Sequence, residues 1–568
     1  MPIIPPLGPP SQKSRPARPR RGRSANRSGR PSRRRREKGA DHLGDAVGPV
    51  RRLSPVDAAF LYLEREAIPL AIASLCIFDG EIPFHRFVTR VESKLPLVPR
   101  YRQIVEMPPW NLDLPVWRDD PHFDIRRHMF RIRVDPPGGD AELEALVGRI
   151  FSQTLDRTRP LWEIYVIDGL KGGRGAMIFR LHHALADGVS GAGLMKVILD
   201  TTPESQPIRR QTRSQPLPPP VVEPSLVDKI SSAVQTTLRS AFAAEAGLLR
   251  FAQSLFSDPL DDARKGLLDL LPELALPVER LPFNKPCGPD RKFCWAEFDL
   301  AEVKAIREAV GGTLNDVVLA VLTRALARYV KLHGQTTVKR FVRIVCPVSL
   351  RHAAGSAELG NLLSFMPVAL PMDVADPVRM LRAVAARTET MKHAGAAQLV
   401  LLIAGCIAAA PAPLQALFWW GLPELILPAP LLNMICTNVP GPDVPLYAAG
   451  RRMLASYPQV PTGYDLGVNV AVETYDGKLF FGLIADAQVA SDVNRLRDFL
   501  YTSFDELRRA AVVAPGRSKK VQRRGGRTRR AAAPASKPEA SIVAHAPVPE
   551  PPPRSATVPP SMKAKDAA

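Results

Sequence analysis

The stretch Arg180-Leu-His-His-Ala-Leu-Ala-Asp-Gly-Val-Ser-Gly191 places two adjacent histidines between two regular elements. The apolar run 176–179 before it predicts a β-strand, and the run 192–199 after it predicts a helix. The histidines therefore stand at the end of a strand, and an aspartate and a glycine follow in the turn. A side chain in such a position is held rigidly and can still face a cleft.

Within this stretch, His183 is the candidate general base. An imidazole has an ordinary pKa of about 6.5, so its neutral form can accept a proton near neutral pH. Asp187 is close enough to fix the turn, through an arginine or the imidazole itself, and Gly188 permits positive φ where the loop enters the helix. We interpret His182 and Asp187 as structural supports. The alternative is that both histidines are ordinary strand-end residues.

The same pattern does not predict a metal site. His-His-x3-Asp differs from the i, i+4 histidine pair of a helical zinc site, and neighbouring residues of a strand point to opposite faces. Only one carboxylate lies nearby in the sequence. The pattern therefore favours acid–base chemistry.

Residues 182–188, His-His-Ala-Leu-Ala-Asp-Gly, resemble the HHxxxDG active-site motif of the bacterial wax ester synthase/acyl-CoA:diacylglycerol acyltransferase family. That family is part of the superfamily of coenzyme A-dependent acyltransferases and peptide-synthetase condensation domains. Two positions depart from the family's usual sequence. Thr437 stands where the family usually has a serine before Asn-Val-Pro-Gly-Pro, and Thr474-Tyr475 replaces a Ser-Tyr pair. Further matches follow the family's order: Leu53-Ser-Pro-Val-Asp-Ala-Ala-Phe60, Pro160-Leu-Trp-Glu163, Asn315-Asp316-Val317, Pro347-Val-Ser-Leu-Arg351, Leu359-Gly-Asn361 and Thr437-Asn-Val-Pro-Gly-Pro442.

The resemblance implies an α/β fold with two lobes of the chloramphenicol-acetyltransferase type and a central cleft. It implies transfer of a long-chain acyl group from acyl-CoA to diacylglycerol, or to a long-chain alcohol to give a wax ester. His183 would take the proton of the lipid alcohol, and backbone N–H groups near Gly188 together with Asn315 are candidate donors to the oxyanion. Acyl-CoA is then a co-substrate, and no cofactor or metal is bound.

Asn315 and Asp316 lie at the predicted start of a long helix that runs to about residue 332. Thr313 or Asn315 suits the N-cap position, and a helix N-terminus also stabilises negative charge. In the resembled family this pair is a second motif near the active site. The pattern leaves open whether the pair supports the helix or acts on the reaction.

Two other functions remain open. One is an acyltransferase for another acceptor, or for an acyl donor bound to a carrier protein. The other is a non-catalytic tether at a lipid droplet or the nucleoid, which would use the basic tails. The intact His-His-x3-Asp-Gly stretch favours an enzyme.

Strand, helix and proline patterns divide the chain into five parts. Residues 51–204 form the first lobe, in which strand 162–170 and a glycine-rich turn lead into the histidine strand. Residues 291–512 form the second lobe, which includes a hairpin with an Asp476-Gly477 turn. Residues 205–290 are a proline-rich linker with a helix-like run over 226–256. Residues 1–50 and 513–568 are tails.

The formal net charge of +21 comes from these tails. Residues 1–52 carry a net +12 and residues 513–568 a net +9, so the rest of the chain is formally neutral. Few apolar residues occur in either tail, and this predicts disorder. Such tails can bind an anionic membrane or lipid-droplet surface, or nucleic acid, or can serve only to keep the chain soluble.

The six cysteines form no CxxC pair, and this predicts reduced thiols and a cytosolic compartment. The N-terminus lacks the pattern of a signal peptide.

Residues 394–423 contain no charged side chain, but Pro411 and Pro413 interrupt them. We predict a buried or interfacial helix with the pair Trp419-Trp420 at a membrane boundary, and the alternative is a transmembrane helix. We also predict a peripheral location on the inner face of the membrane or on lipid inclusions.

Overall fold

The computed structural model describes residues 51–185, 195, 197–204, 277–349, 363–393, 405, 407–408, 410–421 and 430–513. Apart from residue 513, the predicted tails lie outside these ranges. The helix-like run 226–256 and most of the predicted linker lie outside them as well.

The described strands fall into two large sheets and one small sheet. The strands are β1 (Arg51–Arg52), β2 (Ala71–Phe78), β3 (Gln103–Glu106), β4 (Val116–Asp119), β5 (Met129–Arg133), β6 (Trp162–Asp168), β7 (Gly175–His182), β8 (Arg291–Asp299), β9 (Phe341–Ser349), β10 (Leu363–Pro371), β11 (Met434–Pro440), β12 (Tyr447–Ala448), β13 (Arg451–Gln459), β14 (Val468–Tyr475) and β15 (Lys478–Asp486).

The described part of the chain contains eight α-helices. They are α1 (Pro55–Leu63), α2 (Phe84–Lys94), α3 (Asp140–Phe151), α4 (Leu300–Val310), α5 (Leu314–Leu332), α6 (Pro377–His393), α7 (Ala412–Gly421) and α8 (Val493–Val513).

The first large sheet has the strand order β12-β13-β2-β7-β6-β5. Its inner strands β6 and β7 are buried along their whole length, which explains why their sequences are mostly apolar. They pair antiparallel, so the predicted hairpin that leads into the histidine strand is confirmed. On the other side of β7, Ala71 of β2 pairs with His182. The histidine strand is thus fixed by a neighbour on each side.

The second large sheet has the order β10-β9-β11-β14-β15-β8. Strand β11 runs parallel to both β9 and β14, and the predicted hairpin between β14 and β15 turns at Asp476-Gly477. The small third sheet has the order β1-β4-β3. Each large sheet has a hydrophobic core of its own, and α5 lies almost wholly in the core of the second sheet. The predicted mixed α/β class with two lobes is confirmed.

One segment from the second half of the chain, β12 and β13, belongs to the sheet of the first half. Strands β12 and β13 belong to residues 291–512, which we predicted as one lobe, but β13 pairs antiparallel with β2 of the first sheet. On β13, Ser456 Oγ lies 2.9 Å from Ser74 Oγ of β2 and donates at 2.8 Å to Glu473 Oε2 of β14. The predicted division therefore does not describe this segment, because long-range strand pairing leaves no local pattern in the sequence.

The apolar stretch 394–423 is described only in part, and α7 is its main described element. Gln415 and Ala416 of α7 are buried, and Trp419 packs against the first core, whereas Trp420 is 60% exposed. Of the two tryptophans predicted at a membrane boundary, Trp419 therefore contacts the core and Trp420 lies on the surface. In the described ranges no single helix is long and apolar enough to cross a membrane; α4 and α5 pass such a test only as a pair, bent by 97°.

We predict that Gly482→Ala destabilises the fold. A Cβ atom at Gly482 of β15 would overlap the Pro458 carbonyl oxygen of β13 and would stand 2.9 Å from the carbonyl carbon, and neither backbone can move without disturbing its sheet. Overpacking of this kind costs about 1–3 kcal/mol or more. Thermal unfolding followed by circular dichroism should show a lower melting temperature.

The matched control for this substitution is Gly421→Ala, because no atom lies within 4 Å of the added Cβ. It should melt like the wild type. If Gly482→Ala also melted like the wild type, the close contact between β13 and β15 would be contradicted.

Candidate active site

The two histidines stand where β7 ends. The His182 N–H donates to the Leu161 carbonyl at 3.0 Å, and the His183 N–H donates to the Leu70 carbonyl at 3.0 Å. From His183 the chain turns into a short 3-10 turn, His183–Leu185. Both histidines are therefore anchored by their backbone, and His183 is the first residue beyond the strand.

The His183 ring stacks on Phe60 of α1, with ring centroids 3.7 Å apart and planes inclined by 15°. Its Nδ1 atom is buried and makes no hydrogen bond with any described residue. Burial, reinforced by the neighbouring His182, lowers the pKa of His183 to about 4. The imidazole is thus neutral at pH 7, and its lone pair is available to a proton. The shift from the ordinary value was not evident from the sequence.

His182 is fully buried and has a different environment. Its Nδ1 accepts a hydrogen bond from the Ala184 N–H at 3.1 Å, so the ring proton lies on Nε2. Nε2 is 3.4 Å from Glu64 Oε1, which is longer than an ideal hydrogen bond. His182 therefore fixes the turn after β7 and faces a carboxylate, whereas His183 does neither.

Glu64 follows α1 and joins several parts of the site. Its Oε1 accepts from the Leu70 N–H at 3.0 Å, and its Oε2 accepts from Arg157 at 2.9 Å. Burial opposes ionisation of this carboxyl, but His182, the Leu70 N–H and Arg157 together lower the pKa of Glu64 to about 2. A permanent negative charge therefore lies beside His182.

Asp187 and Gly188 fall in residues 186–194, outside the described residues, so their predicted roles stay predictions. The arginine of the same stretch, Arg180, is engaged elsewhere. Its side chain is buried, forms an ion pair with Glu163 at 2.8 Å, and donates to the Ile150 and Gln153 carbonyls.

Asp316 supports the start of α5. Its Oδ2 accepts from the Thr313 N–H at 2.7 Å and from Thr313 Oγ1 at 2.8 Å, and its Oδ1 accepts from Thr388 Oγ1 at 2.7 Å. Thr313 in turn accepts from the Asp316 N–H, so of the two predicted N-cap candidates, Thr313 and Asn315, Thr313 caps the helix. Both oxygens of Asp316 are used in these contacts.

Asn315 makes a different contact. Its half-buried side chain lies in the first turn of α5, and its Oδ1 accepts from Asn438 Nδ2 of β11 at 3.2 Å. Two segments of the sequence pattern, Asn315-Asp316 and Thr437–Pro442, therefore meet in space. With its oxygen used in this way, the Asn315 amide keeps N–H groups to donate.

Trp162, from the Pro160–Glu163 segment, belongs to the core. Its Nε1 donates to the Tyr101 carbonyl at 2.8 Å, and its ring stacks on His128 at 4.6 Å. Trp162 is thus a buried core residue, and the buried ring of His128 packs beside it.

The described residues thus bring together a neutral imidazole, a second imidazole of fixed orientation and an ionised carboxylate. The sequence patterns singled out the first two. Phe60 ends a matched segment, and Glu64 lies just beyond it, but nothing local indicates that α1 covers the histidines. Among the described residues, no group of three His, Cys, Asp or Glu side chains is arranged to hold a metal ion. The five described cysteines are free thiols.

Comparison with known proteins extends these observations. Residues 53–318 match the wax ester synthase/diacylglycerol acyltransferase catalytic domain, and residues 359–508 match the WS/DGAT C-terminal domain. A putative diacylglycerol O-acyltransferase of Mycobacterium tuberculosis (strain CDC 1551 / Oshkosh) is 32% identical over 470 residues, which cover 81% of this chain and 90% of that protein. A probable diacylglycerol O-acyltransferase of strain H37Rv is 29% identical over 84% of this chain and 99% of its own.

Among solved structures, the wax ester synthase/diacylglycerol acyltransferase from Marinobacter aquaeolei VT8 is similar, with a TM-score of 0.56. It is 24% identical and covers 81% of this chain and 100% of that one, so this likeness shows the fold. The two domain matches together span well over half of the sequence and include both histidines. The chain belongs to the wax ester synthase/diacylglycerol acyltransferase family.

Proposed function

We propose that this protein transfers a long-chain acyl group from acyl-CoA to the hydroxyl of diacylglycerol, and also to long-chain fatty alcohols, with His183 as the general base. The observation that carries the proposal is the neutral imidazole of His183, which follows the end of β7 and stacks on Phe60. Family membership and the names of the relatives support the choice of donor and acceptor.

In this mechanism His183 removes the hydroxyl proton as the alcohol oxygen attacks the thioester carbonyl carbon. The carbonyl oxygen becomes an oxyanion, and a tetrahedral intermediate forms. Its collapse breaks the carbon–sulfur bond, and the imidazolium of His183 returns the proton to the leaving thiolate of coenzyme A. The products are an ester and free coenzyme A, and no acyl-enzyme is needed.

Two contacts favour the charged intermediates. The Asn315 amide, held through its oxygen by Asn438, can donate to the oxyanion. Once His183 is protonated, the face of Phe60 stabilises the positive charge by a cation–π interaction of about 0.5–2 kcal/mol. Such stabilisation matters because the pKa of His183 in the resting site is low.

We also propose that α7 and Trp110 contact a lipid surface, either a bilayer or the monolayer of a lipid inclusion. Trp110 is 83% exposed, and Leu417 of α7 is 63% exposed. The turn that contains Trp110 lies against α7, and α7 packs on α1, which carries Phe60. An apolar acceptor would therefore leave the lipid close to the helix that covers His183. This proposal places the protein peripherally at the inner face of the membrane or on lipid inclusions.

We predict that His183→Ala lowers kcat by at least about a hundredfold, because general base catalysis contributes about 10²–10⁴-fold. The assay follows labelled palmitoyl-CoA into ester with dioleoylglycerol or hexadecanol as acceptor, and the melting temperature checks the fold. The matched control is His393→Ala, whose side chain is 79% exposed at the end of α6.

An unchanged rate in His183→Ala would rule out the base assignment. If the wild type used neither alcohol, the acceptor assignment would be wrong. A carrier-protein thioester and a panel of other alcohols would then test the remaining acyltransferase hypothesis.

We predict an acid limb of kcat/KM with a midpoint near pH 4. His183 must be neutral to act as a base, so activity is full above its pKa of about 4 and is lost as the pH falls through that value. Phe60→Ala admits water to the ring and also removes the cation–π contact. Because burial is the largest cause of the low pKa, the midpoint should still move up toward the ordinary value of about 6.5. A wild-type midpoint near 6.5, with folding verified at each pH, would contradict the buried environment of His183.

We predict that Leu417→Ser combined with Trp420→Ser weakens binding to phosphatidylcholine vesicles by at least about tenfold. Burying one large apolar side chain contributes about 1.5–3 kcal/mol. Zwitterionic lipid minimises the effect of the basic tails, and co-sedimentation gives the bound fraction. Leu332→Ser removes a comparably exposed side chain, 47%, at the end of α5 and should bind normally. Equal binding by both variants would exclude α7 as the contact.

A further inference from the structure

Residues 64–70 form a loop between α1 and β2 that holds the histidines from one side. The Leu70 N–H donates to Glu64 Oε1, and this bond closes the loop on itself. Arg65 and Ile68 are joined by a pair of backbone hydrogen bonds within it. The Leu70 carbonyl then accepts from the His183 N–H, while Glu64 faces His182. We call residues 64–70 the histidine-support loop.

The histidine-support loop is held in turn by residues far along the chain. Arg291, at the start of β8 in the second sheet, donates from one nitrogen to the Ala67 carbonyl at 2.8 Å and to the Thr462 carbonyl at 3.1 Å. Its other terminal nitrogen donates to the Gly288 carbonyl at 2.6 Å and lies 3.4 Å from Asp486 Oδ2.

The Arg291 side chain is only 2% exposed, so its charge depends on these partners. Burial lowers the pKa of Arg291, while Cys287 and the carboxylates of Asp486 and Asp290 act in the opposite direction. A buried charge that is satisfied from several directions tolerates little movement, because each lost partner would leave it uncompensated. Arg291 therefore fixes the position of Ala67 relative to the second sheet.

The turn that contains Gly463 makes a second contact with the loop. Gly463 and Leu466 pair across the turn, and the Tyr464 hydroxyl donates to the Leu63 carbonyl at the end of α1. A Cβ atom on Gly463 would overlap Ile68 Cγ2 and would stand 3.2 Å from Ile68 Cβ. The φ of Gly463 is not in the left-handed region, so its lack of a side chain serves this close approach.

We propose that the histidine-support loop couples the packing of the second half of the chain to the placement of His182 and His183, and that Arg291 and Gly463 are positioning residues for the reaction. Among the described residues, no hydrogen bond or ion pair joins either residue to a histidine. Each acts through the loop, on the two atoms of Leu70 that bond Glu64 and His183. The inference deepens the proposed function and rests on it for the identity of the reaction.

Small changes in the position of the histidine-support loop should therefore lower kcat more than they lower the stability of the fold. A shift of the loop by a fraction of an ångström moves the Leu70 carbonyl and hence the turn that begins at His183. Misplacement of a catalytic group by about 1 Å can cost about 10²-fold in rate. The affinity for acyl-CoA and alcohol need not change, because a shift of the loop displaces the general base His183 and leaves the groups that bind the substrates in place.

The test uses the full chain and a double-mutant cycle between Gly463→Ala and Ile68→Ala. Gly463→Ala pushes against Ile68, whose β-branched side chain has little freedom to rotate away. We expect kcat to fall by about 10- to 100-fold, with KM for both substrates within about twofold of the wild type. Ile68→Ala in the same chain removes the atoms that collide and should restore most of kcat.

Arg291→Lys is the second variant. It keeps the positive charge but cannot donate to Ala67 and Thr462 in the geometry of a guanidinium. We expect the same pattern, a lower kcat at nearly constant KM. A wild-type kcat in Gly463→Ala, a loss that Ile68→Ala does not restore, or a change confined to KM would each overturn the coupling.

A readout that does not depend on turnover separates this inference from the proposed function. Diethyl pyrocarbonate modifies accessible neutral imidazoles, and mass spectrometry of the peptide that carries residues 182–183 gives the rate. We expect faster modification in Gly463→Ala and a wild-type rate in the double variant. If the wild type had no acyltransferase activity, this cycle would still decide whether the loop positions the histidines: equal modification rates in all four proteins would refute it.

Discussion

A single buried carboxylate, Glu64, joins the elements that carry the reacting groups. It closes the loop before β2, lies beside the proton-bearing nitrogen of His182, and pairs with Arg157. An ionised group at this depth is stable only while all of these partners are present. The constraint therefore fixes α1, β2 and β7 relative to one another. Phe60, one turn earlier on α1, is thereby held against His183.

The adjacent histidines show how two identical side chains come to differ. His182 is the last residue of β7 and points into the first lobe, where its two nitrogens face a backbone N–H and a carboxylate. His183 lies one residue further, where the strand has ended, and stacks on an aromatic ring. Because the strand ends between the two residues, His182 has a structural role and His183 is free for a chemical one.

Features with a local cause could be predicted from the sequence. The hairpin before the histidines, the Asp476-Gly477 turn and the Thr313 cap follow from strand patterns, turn residues and capping chemistry. The contacts that complete the site join residues more than 100 positions apart, such as Arg291 with Ala67 and Asn315 with Asn438. A single sequence carries no periodicity for such pairs, so neither they nor the low pKa of His183 could be foreseen.

The crossing of β13 has a consequence for how the chain acquires its structure. During synthesis the edge of β2 that faces β13 has no partner within this sheet until residues 451–459 have left the ribosome, and the paired residues are 375 to 386 positions apart. An unpaired edge strand invites association with other chains, and contacts of such long range slow folding. The first lobe by itself therefore lacks two strands of its own sheet, β12 and β13. A gene fragment that ends at the linker would encode both histidines but leave the sheet that holds them incomplete.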